Sequence, residues 1–268
     1  MSPELTFMVM LALRMVVAAT FVVSASFIAE RSGPVIGALV ATLPISAGPA
    51  YVFLAIDHDA AFIAQGALAS LSINAATIFL SLTYVLLAQR HGVLLSCGGA
   101  VAAWTAFAFI VRMTEWSLVG CLAVNAVAFA VCVPLLERFR HVKKMPLITR
   151  RWYDIPLRAS LVAVLVATVV SLSSRVGPTI SGIMALFPIV FTSMMLILHP
   201  RIGGPATAAV IANGVWGLMG FGLAIAVLHV GAARFGSAIG LSLALATCVG
   251  WNLALWWNGR RKAFSRAG

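Results

Sequence analysis

A stretch of this chain returns at a fixed interval of 144 residues, so any fold it adopts must be assembled from two copies of one unit. Arg14, Arg31, Gly33, Pro34, Pro44, Arg90 and Gly92 recur, in one ungapped register, as Arg158, Arg175, Gly177, Pro178, Pro188, Arg234 and Gly236. The copies are almost entirely apolar, and in such chains duplication points to the internal repeats on which many transporters are built.

Composition excludes a soluble globule. Of 268 residues, 62% are hydrophobic and 9% charged, and the mean hydropathy is +1.06, leaving too few polar groups to cover a water-exposed surface. The carboxylates Glu4, Glu30, Asp57, Asp59, Glu115, Glu137 and Asp154 fall at or near breaks between apolar stretches, so they mark loops. The net charge is +11, but the basic residues gather beside apolar spans, at 138 to 151 and 260 to 266. That is a topology signal and a contact with anionic lipid headgroups, not a nucleic-acid surface. Cys97, Cys121, Cys132 and Cys248 lie singly inside apolar segments and read as packing residues. No basic region precedes the first apolar run, so that run is expected to be retained as a span rather than cleaved.

About 20 apolar residues cross a bilayer core. Candidate spans run over 7–29, 33–56, 61–88, 93–111 and 116–136, then 157–174, 177–199, 205–230 and 235–257. The expected fold is therefore an all-α polytopic membrane protein of about nine helices. Its first repeat covers 1–136, a basic cytoplasmic connection 137–156, its second repeat 157–258 and a basic tail 259–268. The basic connection and tail place both ends of the second repeat in the cytoplasm. Five preceding spans then put the N-terminus outside, so the repeats are expected to be inverted, in a bacterial-type inner membrane.

Each copy starts its second span with Gly-Pro, at Gly33-Pro34 and Gly177-Pro178, and carries another proline ten residues on, Pro44 and Pro188. A proline in the first helical turn is harmless, but one in mid-span removes a hydrogen bond and breaks or kinks the helix. Paired broken helices are the usual pointer to a substrate site. Pro44 and Pro188 are thus site candidates, with Thr42, Ser46 and Gly48 beside the first and Thr192 and Ser193 beside the second. The competing reading is a packing kink with the hydroxyls bonded back to their own helix.

Asn74 and Asn213, in the third spans, are further substrate-contact candidates, although interhelical bonding explains most membrane asparagines. Arg14 and Arg158 match across the repeat and are candidate anion contacts, against the alternative that they snorkel to the interface. No carboxylate is expected in the hydrocarbon core. Ligand-spaced histidines and hydrolase or nucleotide-binding motifs are missing, so neither a metal, a cofactor nor an enzyme activity is expected.

The layout resembles the inverted-repeat secondary transporters of the drug/metabolite and bile-acid-symporter groups, which are built from paired five-helix units; here the second unit is one helix short. The resemblance implies a carrier for a small organic solute, and the chain's own proline pattern suggests that alternating access would work around Pro44 and Pro188. Two alternatives stand beside it: a non-transporting membrane scaffold or assembly factor, and a protein that translocates lipids or amphiphiles through a groove open to the bilayer.

Overall fold

The computed structural model describes residues 3–31, 44–141 and 151–264. Gly33, Pro34 and Thr42, and much of the basic connection, lie outside the described residues. Among those described the protein is all-helical, with nine helices and no strand: α1 Pro3–Arg31, α2 Ala47–Asp57, α3 Ala60–Leu87, α4 Val93–Arg112, α5 Leu118–Glu137, α6 Asp154–Ala185, α7 Ile189–Ile202, α8 Gly204–Phe235 and α9 Ser237–Phe264. Seven are long and apolar enough to cross a membrane, the layout of a multi-pass membrane protein. The two short ones, α2 with 11 residues and α7 with 14, each begin within three residues after a mid-span proline. At 1.5 Å per residue they reach only about 17 and 21 Å, too short to cross a core of about 30 Å alone.

The α3 helix is the hub. It packs against α4, α5, α6 and α8 and is buried along most of its length. Its run of small residues, Gly66, Ala67, Ala69, Ser70, Ser72, Ala75 and Ala76, lets neighbours approach closely, the packing device of membrane bundles. Its start is set by Asp59, whose side chain accepts from the Phe62 amide at 2.9 Å, and α5 starts in the same way with Ser117 accepting from Gly120 at 3.1 Å. Around the hub α8 pairs with α9, and α1 lies along α6. Residues Leu5, Phe7, Met8 and Leu13 of α1 are about half-exposed, an apolar surface suited to lipid.

One local rule shapes the second half. Gly177, Gly203 and Gly236 share φ of 78, 83 and 88° with ψ of 177, 161 and 165°, a backbone region essentially restricted to glycine. Each joins two helices through a single non-helical residue. At Gly177 the chain turns back on itself, because Arg201, at the end of α7, pairs with Asp154, at the start of α6, with N to O distances of 2.6 and 2.9 Å. The sequence-derived boundary between spans at 174–177 therefore appears as a glycine reversal inside the helical run Asp154–Ala185. The expected continuous span 177–199 is two half-helices, 178–185 and 189–202, separated at Leu186, Phe187 and Pro188.

The two ends of the bundle can be told apart by their contacts. Arg14 of α1 pairs with Asp57, at the end of α2, at 2.5 and 2.6 Å. The adjacent His58 meets Ser173, near the Gly177 reversal, at 2.8 Å. The middle of α1 and the late part of α6's first section thus lie at the same level.

Candidate functional site

The break at Pro188 has a definite geometry. Pro188, at φ −77° and ψ 57°, is the centre of an inverse γ-turn closed by the Ile189 amide bonding to the Phe187 carbonyl at 2.7 Å. The helix restarts when the Thr192 amide bonds to the Pro188 carbonyl at 2.9 Å. At the first break the Gly48 amide bonds to the Pro44 carbonyl at 2.8 Å; positions 44 and 48 correspond to 188 and 192 in the repeat register. Both short helices thus nucleate on their proline's carbonyl.

A half-helix that stops at Ala185 leaves carbonyls without their usual helical partners. The Gly182 carbonyl, which accepts from the Leu186 amide at 3.3 Å, takes a second donor from outside its helix: Ser70 Oγ of α3 donates to it at 2.7 Å, and Tyr51 OH of α2 lies 2.6 Å from the same Ser70 oxygen. Three helices are tied together through this fully buried chain of groups. Glycine makes it possible, since a Cβ on Gly182 would stand 2.1 Å from the Gly66 carbonyl oxygen. The backbones of α3 and the half-helix are in direct contact. Phe187, in the break itself, packs edge-on to Trp104 at 5.3 Å between ring centroids.

The hydroxyls flanking Pro188 bond to their own helix. Thr192 Oγ1 donates to the Pro188 and Ile189 carbonyls at 3.0 and 3.1 Å, and Ser193 Oγ to Val190 at 2.8 Å. Both are buried. Ser46 precedes α2 as its cap position without a side-chain capping bond.

Pro44, in contrast, borders open space. A cavity of about 450 Å³ is bounded by Val17 and Phe21 of α1, Pro44 and Tyr51 at α2, Leu228 of α8 and Cys248 of α9. Its two hydroxyls are committed, Tyr51 to Ser70 and Ser242 to the Ala238 carbonyl at 2.9 Å, so what it offers an occupant is hydrocarbon surface. Val17, Phe21, Val52 and Leu245 on its wall are about half-exposed, which places its mouth on the outer face of the bundle.

The remaining candidates are dispersed. Asn74 donates to Asn125 Oδ1 at 2.9 Å, and both line a separate cavity among α3, α5 and α8. Asn213 holds the chain leaving α5, donating to the Arg140 and Ala209 carbonyls at 3.0 and 2.8 Å and accepting from Arg140 Nε at 2.9 Å. Arg14 is engaged by Asp57, while Arg158 acts electrostatically on Asp154. Arg201 also lies over the Tyr153 ring, 5.1 Å from its centroid, and hydrogen bonds from Arg201 and Arg151 hold the Tyr153 phenol below its ordinary pKa.

These contacts expose a relation the sequence reading missed. Asp57 and Arg201 occupy the same position in the 144-residue register with opposite charge. Each lies at the end of a short helix, α2 or α7, and each pairs with a long helix, Asp57 with Arg14 of α1 and Arg201 with Asp154 of α6. Comparing charges across the register would have found it. Tyr51, Ser70 and Gly182 carried no such signal, because nothing in the sequence says which carbonyl of a broken helix a distant serine will meet. Comparisons of the chain with protein-family models, with curated proteins and with solved structures give no match.

Proposed function

We propose that the protein is a membrane carrier for an amphiphilic solute, moved by rocking of two inverted structural halves about the breaks at Pro44 and Pro188. The observation that carries this reading is the apolar cavity at Pro44, which is ligand-sized, lies beside the start of the short helix α2 and opens on the lipid-facing side of the bundle. A strongly polar solute would find no unsatisfied hydrogen-bonding group there. An acyl or aromatic group would find hydrocarbon on every side, with its polar end left at the mouth.

The two-copy arrangement is supported by the matching carbonyl-nucleated restarts at Pro44 and Pro188, and by the sign-swapped residues Asp57 and Arg201 at one register position, each in an ion pair. The Lys and Arg residues at 138–151 and 260–266 favour a cytoplasmic location for the Asp154 end. The N-terminal end of α1 then faces outward across an inner membrane. In this scheme the Arg14 and Asp57 pair fastens the outer end, and the Asp154 and Arg201 pair the inner one. Alternating access would require the two to open in turn.

The test is reconstitution into liposomes with short-chain fluorescent fatty acids or lysolipids in one leaflet, followed by quenching from outside. Protein-dependent equilibration that is lost in Gly48→Phe, which fills the cavity beside Pro44, supports the proposal. Equilibration no faster than in protein-free liposomes for every amphiphile tried refutes it.

A further inference from the structure

A second cavity lies apart from the one at Pro44, with none of its lining residues in common. The space among α3, α5 and α8 measures about 610 Å³, again within the range of ligand pockets. Its walls are apolar, formed by Leu122, Phe129, Val133, Met219 and Leu223, and its polar side chains are the two asparagines Asn74 and Asn125. Ala126 and Ala130 of α5 line it and are exposed, so it opens on the outer face of the bundle.

The hydrogen bonds determine how the asparagines are turned. Asn125 Nδ2 donates to the Leu71 and Cys121 carbonyls at 2.6 and 2.9 Å. Both of its hydrogens are used, and its Oδ1 is left facing Asn74. Asn74 must therefore present Nδ2 to that oxygen, as it does at 2.9 Å, and the opposite edge of its amide is its Oδ1. This oxygen is buried and has no hydrogen-bond partner, on a residue with 0% exposure. Gly222 of α8 packs closely on the other edge of the amide, because a Cβ there would come within 2.7 Å of Asn74 Nδ2. A buried acceptor without a donor in an apolar setting is costly, and such groups are ordinarily satisfied.

We infer that this cavity binds a hydrophobic molecule bearing one hydroxyl group, with the hydroxyl donating to Asn74 Oδ1 and the hydrocarbon body lying between α5 and α8. The missing partner is a donor, and the walls carry no charge to neutralise an ionic head. A hydroxyl is the compact neutral group that can donate to Oδ1 while accepting from the second Nδ2 hydrogen of the same amide. The lateral opening lets such a molecule enter from the bilayer.

The experiment uses the full-length protein in lipid nanodiscs and two photoreactive probes of equal length: a sixteen-carbon alcohol bearing a diazirine and an alkyne, and its analogue with a methyl group in place of the hydroxyl. Labelled peptides are mapped by mass spectrometry. The alcohol should label the α5 and α8 walls about tenfold more than the analogue, the factor expected of one well-formed hydrogen bond. Asn74→Leu should abolish that preference. Ala126→Trp, which fills the mouth from an exposed position without touching the asparagine pair, should suppress labelling by both probes there. Equal labelling by the two probes overturns the inference and leaves water as the partner of Asn74. Cross-links between two copies of the chain through α5, without alcohol labelling, also overturn it and assign this face to self-association. Because the readout is binding, failure of the transport proposal would not alter it.

Discussion

Gly182→Ala tests the backbone contact that the broken second span depends on. Ordinary contact for a Cβ begins at 3.4 Å, whereas the added carbon would lie 2.1 Å from the Gly66 carbonyl oxygen and 2.8 Å from its carbon. Relief requires α3 and the half-helix 178–185 to separate by about 1.3 Å, and both neighbours are backbone, which has no rotamer to change. The same movement stretches the 2.7 Å bond from Ser70 to the Gly182 carbonyl to about 4 Å, beyond hydrogen-bonding range. Overpacking of this kind costs about 1–3 kcal/mol, and loss of the Ser70 bond from a carbonyl that still accepts from the Leu186 amide about 0.5–1.5 kcal/mol more, so the variant should lose about 1.5–4.5 kcal/mol. Unfolding titrations with sodium dodecyl sulphate in mixed micelles, followed by tryptophan fluorescence, would measure it. Ser70→Ala should lose the hydrogen-bond part alone. If Gly182→Ala unfolds at the wild-type detergent fraction, the close approach of α3 to the half-helix is wrong, and with it the account of how the break is held.

Other substitutions separate conformation, space and charge. Gly177→Ala has nothing within 4 Å of the new carbon but demands φ of 78°, so the same titration should show a loss of about 1–3 kcal/mol from backbone strain alone. Gly48→Ala, also with nothing within 4 Å and with no positive φ, should be neutral or stabilise by up to about 1 kcal/mol. Asp154 and Arg201 have side-chain exposures of 13% and 14%, against 29% and 21% for Asp57 and Arg14. Asp154→Asn should therefore cost more than Asp57→Asn, both being partly screened by solvent; equal losses would contradict the difference in exposure. Single cysteines placed at Asp59 and at Arg140 should react with membrane-impermeant thiol reagents from opposite sides, and same-side labelling would refute the inverted arrangement.

What could be read in advance followed from two short-range rules. Hydrocarbon solvent demands long apolar helices with satisfied backbones, so the spans at 61–88, 93–111 and 116–136 agree closely with α3, α4 and α5. Proline cannot continue a helix, so the chain had to be interrupted near Pro188, and it is. The reversal at Gly177 and the restart at Gly204 were likewise marked by Gly-Pro and Gly-Gly-Pro.

The placement of the candidate residues was not legible. Thr192 and Ser193 turned back to their own helix, Asn213 went to Arg140, and Asn74 went to Asn125, although all four sit in apolar segments that look alike along the chain. Helical periodicity says which face a residue occupies on its own helix but not which helix lies opposite. Tertiary packing alone decided that Ser70 would meet the Gly182 carbonyl, that the apolar cavity would open at Pro44 while Phe187, beside Pro188, packs on Trp104, and that Asn74 would keep an unpartnered oxygen. The sequence by itself determined that the chain is a helical membrane bundle interrupted near Pro188, because solvent and backbone chemistry act residue by residue. The cavities depend on how several helices fail to fill the space between them, and no single segment encodes that.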